Sequence, residues 1–272
     1  MAEQTGIEWA DHTINAWIGC AKVSEGCAHC YAERVARRVH VRWGRDADRW
    51  LIKADTLKHR IRRWNRAAQH AGVRRRVFWN SLSDFLEDRP ELRGPRLEAM
   101  ALMEEAASLD HLILTKRPEN AAALLPLWCA AGWPANVWLG VSVESPDHLS
   151  RLDWLSRLPV HHCFVSAEPL LDALSLAPWL GLIKWTSGSF TYRTAPQLQW
   201  VIVGGESGPG ARPCHVKWIR TLLAEGQAAA VPVFVTQLGA CPVGVLPLRH
   251  PRGGDPAEWP EDLRVRQVPG GR

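Results

Sequence analysis

The sequence lacks a long uninterrupted apolar run, although 46% of its 272 residues are hydrophobic. No run approaches the roughly 20 residues that a membrane-spanning helix requires. The opening residues 1–6 also lack the basic stretch followed by an apolar one that is typical of an export signal. We therefore expect a cytoplasmic protein with no membrane partner.

The chain has seven cysteines, an odd number, and it shows no export signal. This argues against a disulfide framework and for reduced thiols. Cys129, Cys163, Cys214 and Cys241 are scattered, whereas Cys20, Cys27 and Cys30 lie close together. The grouped cysteines are therefore the first candidates for chemistry.

Acidic residues are slightly fewer than basic ones. The 33 Lys and Arg residues exceed the 28 Asp and Glu residues, which gives a formal charge of +5 and a pI near 9.0. Such a balance favours polyanions without requiring one. Nucleic acid or a nucleotide is therefore one candidate substrate.

Internal repeats and low-complexity segments are also absent, and short apolar runs recur at the spacing of strand-helix units. These runs are residues 77–79, 111–114, 137–141, 163–165, 200–203 and 233–235, with an earlier strand expected near 14–18. Continuous apolarity is typical of parallel strands that are covered on both faces. The helical patterns around Leu97 and Met100 and around Trp218 and Leu222 suit crossover helices.

This alternation predicts an α/β fold with parallel strands in a TIM-like (β/α) barrel, partial or complete. Residues 1–272 are expected to form a single domain. A loop insertion is predicted at 184–196, which is rich in Ser, Thr and Gly, and an irregular C-terminal tail at 242–272, which is rich in Pro and Gly.

Each apolar run ends in polar or charged residues. Because the carboxyl ends of parallel strands meet on one face in such barrels, these endings predict one shared polar site, although loops are polar in any protein. The proposed polar-site residues are Asp84, Lys116, Glu144, Glu168 and Glu206, and the proposed cofactor-binding residues are Ser142, Ser166, Gly204, Gly205 and Glu206. The paired glycines let a ligand approach the backbone, and the Glu206 carboxylate can accept hydrogen bonds from an ammonium group.

The segment GCAKVSEGCAHCY at 19–31 has the pattern C-x6-C-x2-C. Three thiolates from one loop can bind three irons of a [4Fe-4S] cluster and leave the fourth iron open, as chelation of S-adenosylmethionine (SAM) requires. Two alternatives remain open. One is structural zinc, with the fourth ligand from His12, His29, Cys214 or His215, and the other is thiols without a metal.

A helix is expected to begin after Cys30, with Ala32, Val35, Ala36 and Val39 on one face. Its amino end would direct a positive dipole toward an anionic cluster. An ordinary amphipathic helix with a solvated basic face accounts for its Arg residues equally well.

Several blocks resemble a bacteriophage and bacterial family named after phage gene products thirty-seven and sixty-eight, which is associated with three-Cys-motif partner proteins. The matching blocks are IEW at 7–9, the cysteine segment at 19–33, NSLSD at 80–84, LTKRP at 114–118, WLGVSVE at 138–144, SAEPL at 166–170, VGGESG at 203–208 and PAEWP at 256–260. This family looks like a divergent branch of the radical SAM superfamily, which implies a barrel with the cluster at the carboxyl ends of the strands. The usual spacing there is C-x3-C-x2-C, and this chain has three more residues between its first two cysteines.

Two functions follow as hypotheses. In the first, the chain is a radical-SAM-type enzyme that binds a [4Fe-4S] cluster through Cys20, Cys27 and Cys30, together with SAM. It would need an electron donor and would generate a 5′-deoxyadenosyl radical on an unknown substrate. In the second, a zinc ion or a cluster stabilises a nucleic-acid-binding protein without catalysis.

Overall fold

The computed structural model of the chain describes residues 5–187, 190–193 and 197–270. Its residues group into two compact units. Unit 1 comprises Met1–Val141 and Arg157–His162, and unit 2 comprises Ser142–Ser156 and Cys163–Arg272. The expectation of one domain over residues 1–272 stays a prediction.

The described residues alternate between strands and helices along most of the chain. The helices are α1 Tyr31–Arg38, α2 Ala54–His70, α3 Arg93–Glu105, α4 Ala121–Leu124, α5 Pro126–Ala131, α6 Ser150–Ser156 and α7 Val216–Ala229. The strands are β1 His12–Ile14, β2 Trp17–Ile18, β3 Trp50–Leu51, β4 Arg75–Trp79, β5 Leu109–Thr115, β6 Val137–Ser142, β7 His162–Ala167, β8 Lys184–Ser187, β9 Phe190–Arg193, β10 Trp200–Val203, β11 Cys214–His215, β12 Val233–Val235 and β13 Pro242–Val243.

In unit 1, four parallel strands lie side by side in the order β1, β4, β5, β6. Their central residues, such as Val77 and Ile113, are fully buried, as expected for strands covered on both faces. Helix α2 buries Leu57, Ile61 and Trp64 at helical spacing and packs against β4, β5 and α3. Strand β3 pairs antiparallel with β2 outside this sheet.

In unit 2, strands β7, β10 and β12 are parallel neighbours in that order. Helix α7 covers β10 and β12, and Gly226 allows a close approach there. A Cβ at this glycine would lie 2.2 Å from Val233 Cγ2. The tail pairs with β12 through Val265 and Gln267.

Within the described residues, seven strands of these two groups are parallel and are linked largely through helices, which confirms the predicted α/β class. All six apolar runs named above form strands, and the expected early strand forms as β1 and β2. The finer assignment to a TIM-like barrel of the radical SAM kind stays a prediction.

In the predicted insertion, β8 and β9 form an antiparallel pair, while residues 188–189 and 194–196 lie outside the described residues. Over the part of the chain that is described, no helix has the length and apolarity to cross a membrane.

The fully buried His111 makes stability depend on pH. Trp79 Nε1 donates a hydrogen bond to His111 Nδ1 at 2.9 Å. Burial lowers the pKa of His111 from 6.5 to about 3. Below pH 6.5 the unfolded chain therefore binds a proton that the folded chain does not, so stability that is complete above pH 6.5 is lost as the pH falls toward 3.

We expect the free energy of unfolding of the parent to fall by roughly 2 kcal/mol through this residue between pH 7 and pH 5. Urea unfolding at the two pH values measures the change. His111→Gln should remove this part of the pH dependence, whereas His59→Gln, at an exposed position, should keep it. Equal pH dependence in the parent and in His111→Gln would contradict the assignment.

Candidate functional site

The three grouped cysteines lie on one loop of unit 1. Cys20 follows β2, Cys27 ends the short 3-10 helix Glu25–Cys27, and Cys30 is the N-cap residue of α1. Helix α1 therefore begins where the sequence predicted. Its residues Ala32 and Ala36 are buried, whereas Val39 at the C-cap is 43% exposed, contrary to the expected face.

Backbone contacts fix the start of this loop. Gly19 has a φ of +112°, a conformation that favours glycine. A Cβ at this position would lie 3.0 Å from the Arg49 side chain. The Gly19 N–H donates to the Leu82 carbonyl, and the Cys20 carbonyl accepts from the Gly44 N–H, each at 3.0 Å. The loop that contains Gly44 thus lies against the cysteine loop.

Arg117, at the end of β5, contacts the first cysteine directly. Its Nη1 lies 3.6 Å from Cys20 Sγ and 2.7 Å from Asp84 Oδ2. Its Nη2 donates to the Ala21 carbonyl at 2.7 Å. Asp84 is held in turn by the Thr115 hydroxyl at 2.7 Å and by the Lys116 N–H at 3.1 Å. The ends of β4 and β5 therefore bring Asp84, one of the predicted site residues, to Cys20.

A second buried ion pair supports the same loop. Glu87 accepts two hydrogen bonds from Arg49, at 2.8 and 2.6 Å. Its Oε1 also accepts the Ala21 N–H at 3.2 Å and lies 3.9 Å from Arg117 Nη2. Ala21, next to Cys20, is thus held by Glu87 at its N–H and by Arg117 at its carbonyl.

Two thiols of this loop, those of Cys20 and Cys30, have raised pKa values that favour the protonated form. Burial raises the pKa of Cys20 to about 12, with a further contribution from the Asp84 carboxylate. Burial also raises the pKa of Cys30, while the N–H groups of Glu33 and Ala32 act in the opposite direction. Such thiols are poor nucleophiles, and a metal that binds them must displace their protons.

The donor set suits an iron-sulfur cluster by its chemistry. It consists of three thiols on one loop, with the amino end of α1 directed at Cys30 and the Arg117 guanidinium at Cys20. Lys116 and Cys27 are close enough to Cys30 to affect its pKa, which the Lys116 ammonium lowers and Cys27 raises. Among residues 5–187, 190–193 and 197–270, however, no three Cys, His, Asp or Glu side chains are grouped closely enough to hold a metal ion as they stand. Metal binding would therefore require the cysteine side chains to converge.

In unit 2, the ends of β7, β10 and β12 form another polar group. Glu168 Oε1 accepts hydrogen bonds from Thr236 Oγ1 at 3.0 Å and Gln237 Nε2 at 3.1 Å. Gly204 has to be glycine here, because a Cβ would lie 2.1 Å from Thr236 Oγ1. Gly205 is equally enclosed, since its Cβ would lie 2.3 Å from the Leu238 carbonyl oxygen.

The other carboxylates predicted in unit 2 form ion pairs with arginine. Glu206 accepts the Arg212 N–H at 2.8 Å and also binds its guanidinium through both carboxylate oxygens. Glu144, whose side chain is fully buried, binds Arg151 at 2.6 Å. In each pair the guanidinium compensates the charge of a buried carboxylate.

The two serines proposed to bind a cofactor are also buried. Their backbone carbonyls are engaged, that of Ser142 by the Arg151 guanidinium at 2.7 Å and that of Ser166 by the Val143 N–H at 3.0 Å. In the structure these carbonyls accept hydrogen bonds that hold the ends of β6 and β7. Their proposed contact with a cofactor stays a prediction.

A comparison with protein-family models gives a description that covers most of this chain. The model of the family described as "Protein of unknown function (DUF5131)" matches residues 4–255, which is nearly the whole chain. The chain belongs to this family. No curated protein matches it, and no solved structure does either. For this DUF5131 member, the resemblance to the phage-named family and the relation to radical SAM enzymes stay predictions.

The zinc alternative for this DUF5131 member has its candidate ligands in different places. His12 stacks on Trp64 at a ring distance of 4.3 Å, and His29 is exposed on the cysteine loop. Cys214 and His215 form β11 in unit 2, where His215 contacts Trp218. His29 is therefore the candidate that the loop itself carries.

Sequence reasoning on this DUF5131 chain did not single out Glu87 and Arg49. These two residues bind each other across 38 positions of the chain, and a charged residue in a loop gives no indication of so distant a partner. One signal was present, because Glu87 follows the apolar residues Phe85 and Leu86, both fully buried. A carboxylate in such a context is expected to have a buried partner.

Proposed function

We propose that this DUF5131 member is an iron-sulfur enzyme of the radical SAM type, with Cys20, Cys27 and Cys30 as the ligands of a [4Fe-4S] cluster. The observation that supports this most is the concentration of three cysteines on one loop that is held by buried charged side chains. When bound, such a cluster would supply one electron to SAM, whose carbon–sulfur bond would break to give methionine and a 5′-deoxyadenosyl radical that abstracts hydrogen from a substrate.

The residues around the loop have distinct roles in this proposal. Arg117 donates to Cys20 Sγ and places a positive charge beside a future thiolate. Asp84 orients the Arg117 guanidinium, and Glu87 holds the backbone at Ala21. Burial raises the pKa of Cys30, and the Lys116 ammonium offsets a part of that rise. The positive charges of Arg117 and Lys116 offset part of the negative charge that three thiolates would bring into a partly buried loop, whereas the Asp84 and Glu87 carboxylates oppose a thiolate at Cys20.

In unit 2 we propose that Glu168 binds the ligand, a role that the sequence suggested for Glu206. An ammonium group would have to displace Arg212 to reach the Glu206 carboxylate. Glu168 is only partly buried, and Thr236 and Gln237 hold its carboxylate in one orientation. Gly204 and Gly205 beside it let Thr236 and the Leu238 backbone pack closely against the end of β10.

The test is anaerobic reconstitution of the full chain with iron and sulfide. We expect about four irons and four acid-labile sulfides per chain, with the broad visible absorption of a thiolate-bound cluster. Addition of SAM should then change the electron paramagnetic resonance spectrum of the reduced cluster, because SAM binds the iron that has no cysteine ligand. If the protein instead contains stoichiometric zinc and no acid-labile sulfide, the cysteines form a structural zinc site and the proposal is wrong. If the cluster forms but its spectrum does not change when SAM is added, the chain is an iron-sulfur protein without radical SAM activity.

A further inference from the structure

Positive charge is concentrated in one stretch of unit 1. Residues 34–76 contain fifteen of the 33 Lys and Arg residues but only three of the 28 Asp and Glu residues. The remainder of the chain is therefore net acidic, although the chain as a whole carries +5. This stretch includes most of α1, the loop after it, β3 and α2.

Helix α2 presents much of this charge at the surface. Its apolar residues face inward, and the opposite side exposes His59, Arg63, Arg66 and His70 at helical spacing. Lys58 and Arg62 are exposed beside them, and Arg62 binds Glu105 at 2.7 Å. Asp55 is the only carboxylate within α2, so this face is strongly positive.

An exposed aromatic side chain lies next to this face in the sequence. Trp50 in β3 is 50% exposed and comes just before Lys53, the N-cap residue of α2. Arg42 and Arg45 are exposed in the loop that leads to β3. That loop contacts the cysteine loop through the hydrogen bond from the Gly44 N–H to the Cys20 carbonyl.

We propose that this basic face, defined as Lys58, Arg63 and Arg66 of α2 together with Lys53 and Trp50, binds single-stranded nucleic acid. The cationic side chains contact phosphates, and the Trp50 ring stacks on a base. Stacking of this kind needs an unpaired base, which favours a single strand over a duplex. A lipid surface fits less well, because the apolar face of α2 is buried in unit 1 and is not available for insertion.

This inference goes beyond the proposed enzyme, since binding through the basic face needs no metal. If the chain is also the proposed enzyme, nucleic acid is the class of substrate that the basic face brings to the cysteine loop. Only this statement about the substrate rests on the proposed function.

The test uses the metal-free full chain and a fluorescent mixed-sequence single-stranded oligonucleotide of about 20 nucleotides. Fluorescence anisotropy follows binding over a range of salt concentrations. The triple variant Lys58→Gln, Arg63→Gln, Arg66→Gln should weaken binding on the order of 100-fold at 0.1 M salt and reduce the slope of log affinity against log salt by about 2. The matched control Lys217→Gln, Arg249→Gln, Arg252→Gln removes three exposed charges from unit 2 and should change neither quantity.

Trp50→Ala should weaken binding of the single strand by about 5- to 150-fold and leave binding of the same-sequence duplex nearly unchanged. Trp154→Ala removes a tryptophan of similar exposure in α6 and is the control. The proposal is overturned if the parent does not bind the oligonucleotide at 50 mM salt, or if variant and control lose affinity equally. It is also overturned if the parent binds the duplex or anionic phosphatidylserine vesicles as tightly as the single strand. Because no metal is present, each of these outcomes is independent of the cluster.

Discussion

Cys27→Ala is expected to abolish the iron-sulfur cluster of the reconstituted protein, with iron and sulfide contents falling from about four each to near zero. The reason is the small number of ligands. A cluster held by three cysteines of one loop has no spare thiolate, so loss of any one leaves two iron atoms without a protein ligand. Cys20→Ala and Cys30→Ala should have the same effect.

Iron and sulfide analysis with visible absorption measures this prediction, and thermal unfolding of the metal-free chains checks that each variant folds. Cys241→Ala is the matched control, since it removes an exposed thiol outside the loop. Cys129→Ala, in α5, is a second control and should also retain the cluster. Equal loss of iron in the loop variants and the controls would reassign the ligands.

The strands were the part of the fold that sequence reasoning predicted best. Runs such as Trp200–Val203 are apolar without alternation, and burial on both faces of a parallel strand is the physical reason for that pattern. The antiparallel pair of β8 and β9 was not predicted, because Ser, Thr and Gly in that stretch indicate a loop. Short strands such as β11 depend on a distant partner, β13, and have no local pattern of their own.

The candidate site was predictable only in part. The spacing of Cys20, Cys27 and Cys30 identifies the loop without a structure. Their support by Arg117 depends on where β5 ends relative to the loop, which is a tertiary contact between positions 97 residues apart. For Glu206, a strand-terminal carboxylate beside two glycines suggests ligand binding, which stays a prediction. The contact of both its oxygens with Arg212, six residues later, has no signal in the sequence.

The second large effect is expected from Glu87, the carboxylate behind the cysteine loop. Glu87→Ala should lower the free energy of unfolding by about 3 to 5 kcal/mol. The Arg49 side chain, which has no exposed surface, would be left buried without its carboxylate. The Ala21 N–H would lose its acceptor as well.

The chain offers a matched control for this change. Glu105 binds Arg62 through two hydrogen bonds, at 2.7 and 3.0 Å, but both side chains are about half exposed. Glu105→Ala therefore removes the same chemical pair from the surface, where solvent screens the charges, and should change stability little. Urea unfolding of the two metal-free variants measures the difference. Similar losses in both would show that burial of the Arg49 charge is not what makes Glu87 important.

A double variant separates the charge from the packing. In Arg49→Met, Glu87→Ala no unpaired guanidinium remains, so we expect it to recover much of the stability lost in Glu87→Ala. The Ala21 N–H still lacks its acceptor in this variant. If Glu87 also positions the cysteine loop, the double variant should unfold nearly like the parent yet bind iron less completely on reconstitution. A double variant as unstable as Glu87→Ala would place the loss in the Ala21 hydrogen bond and the surrounding packing, because removal of the isolated charge would then have given no benefit.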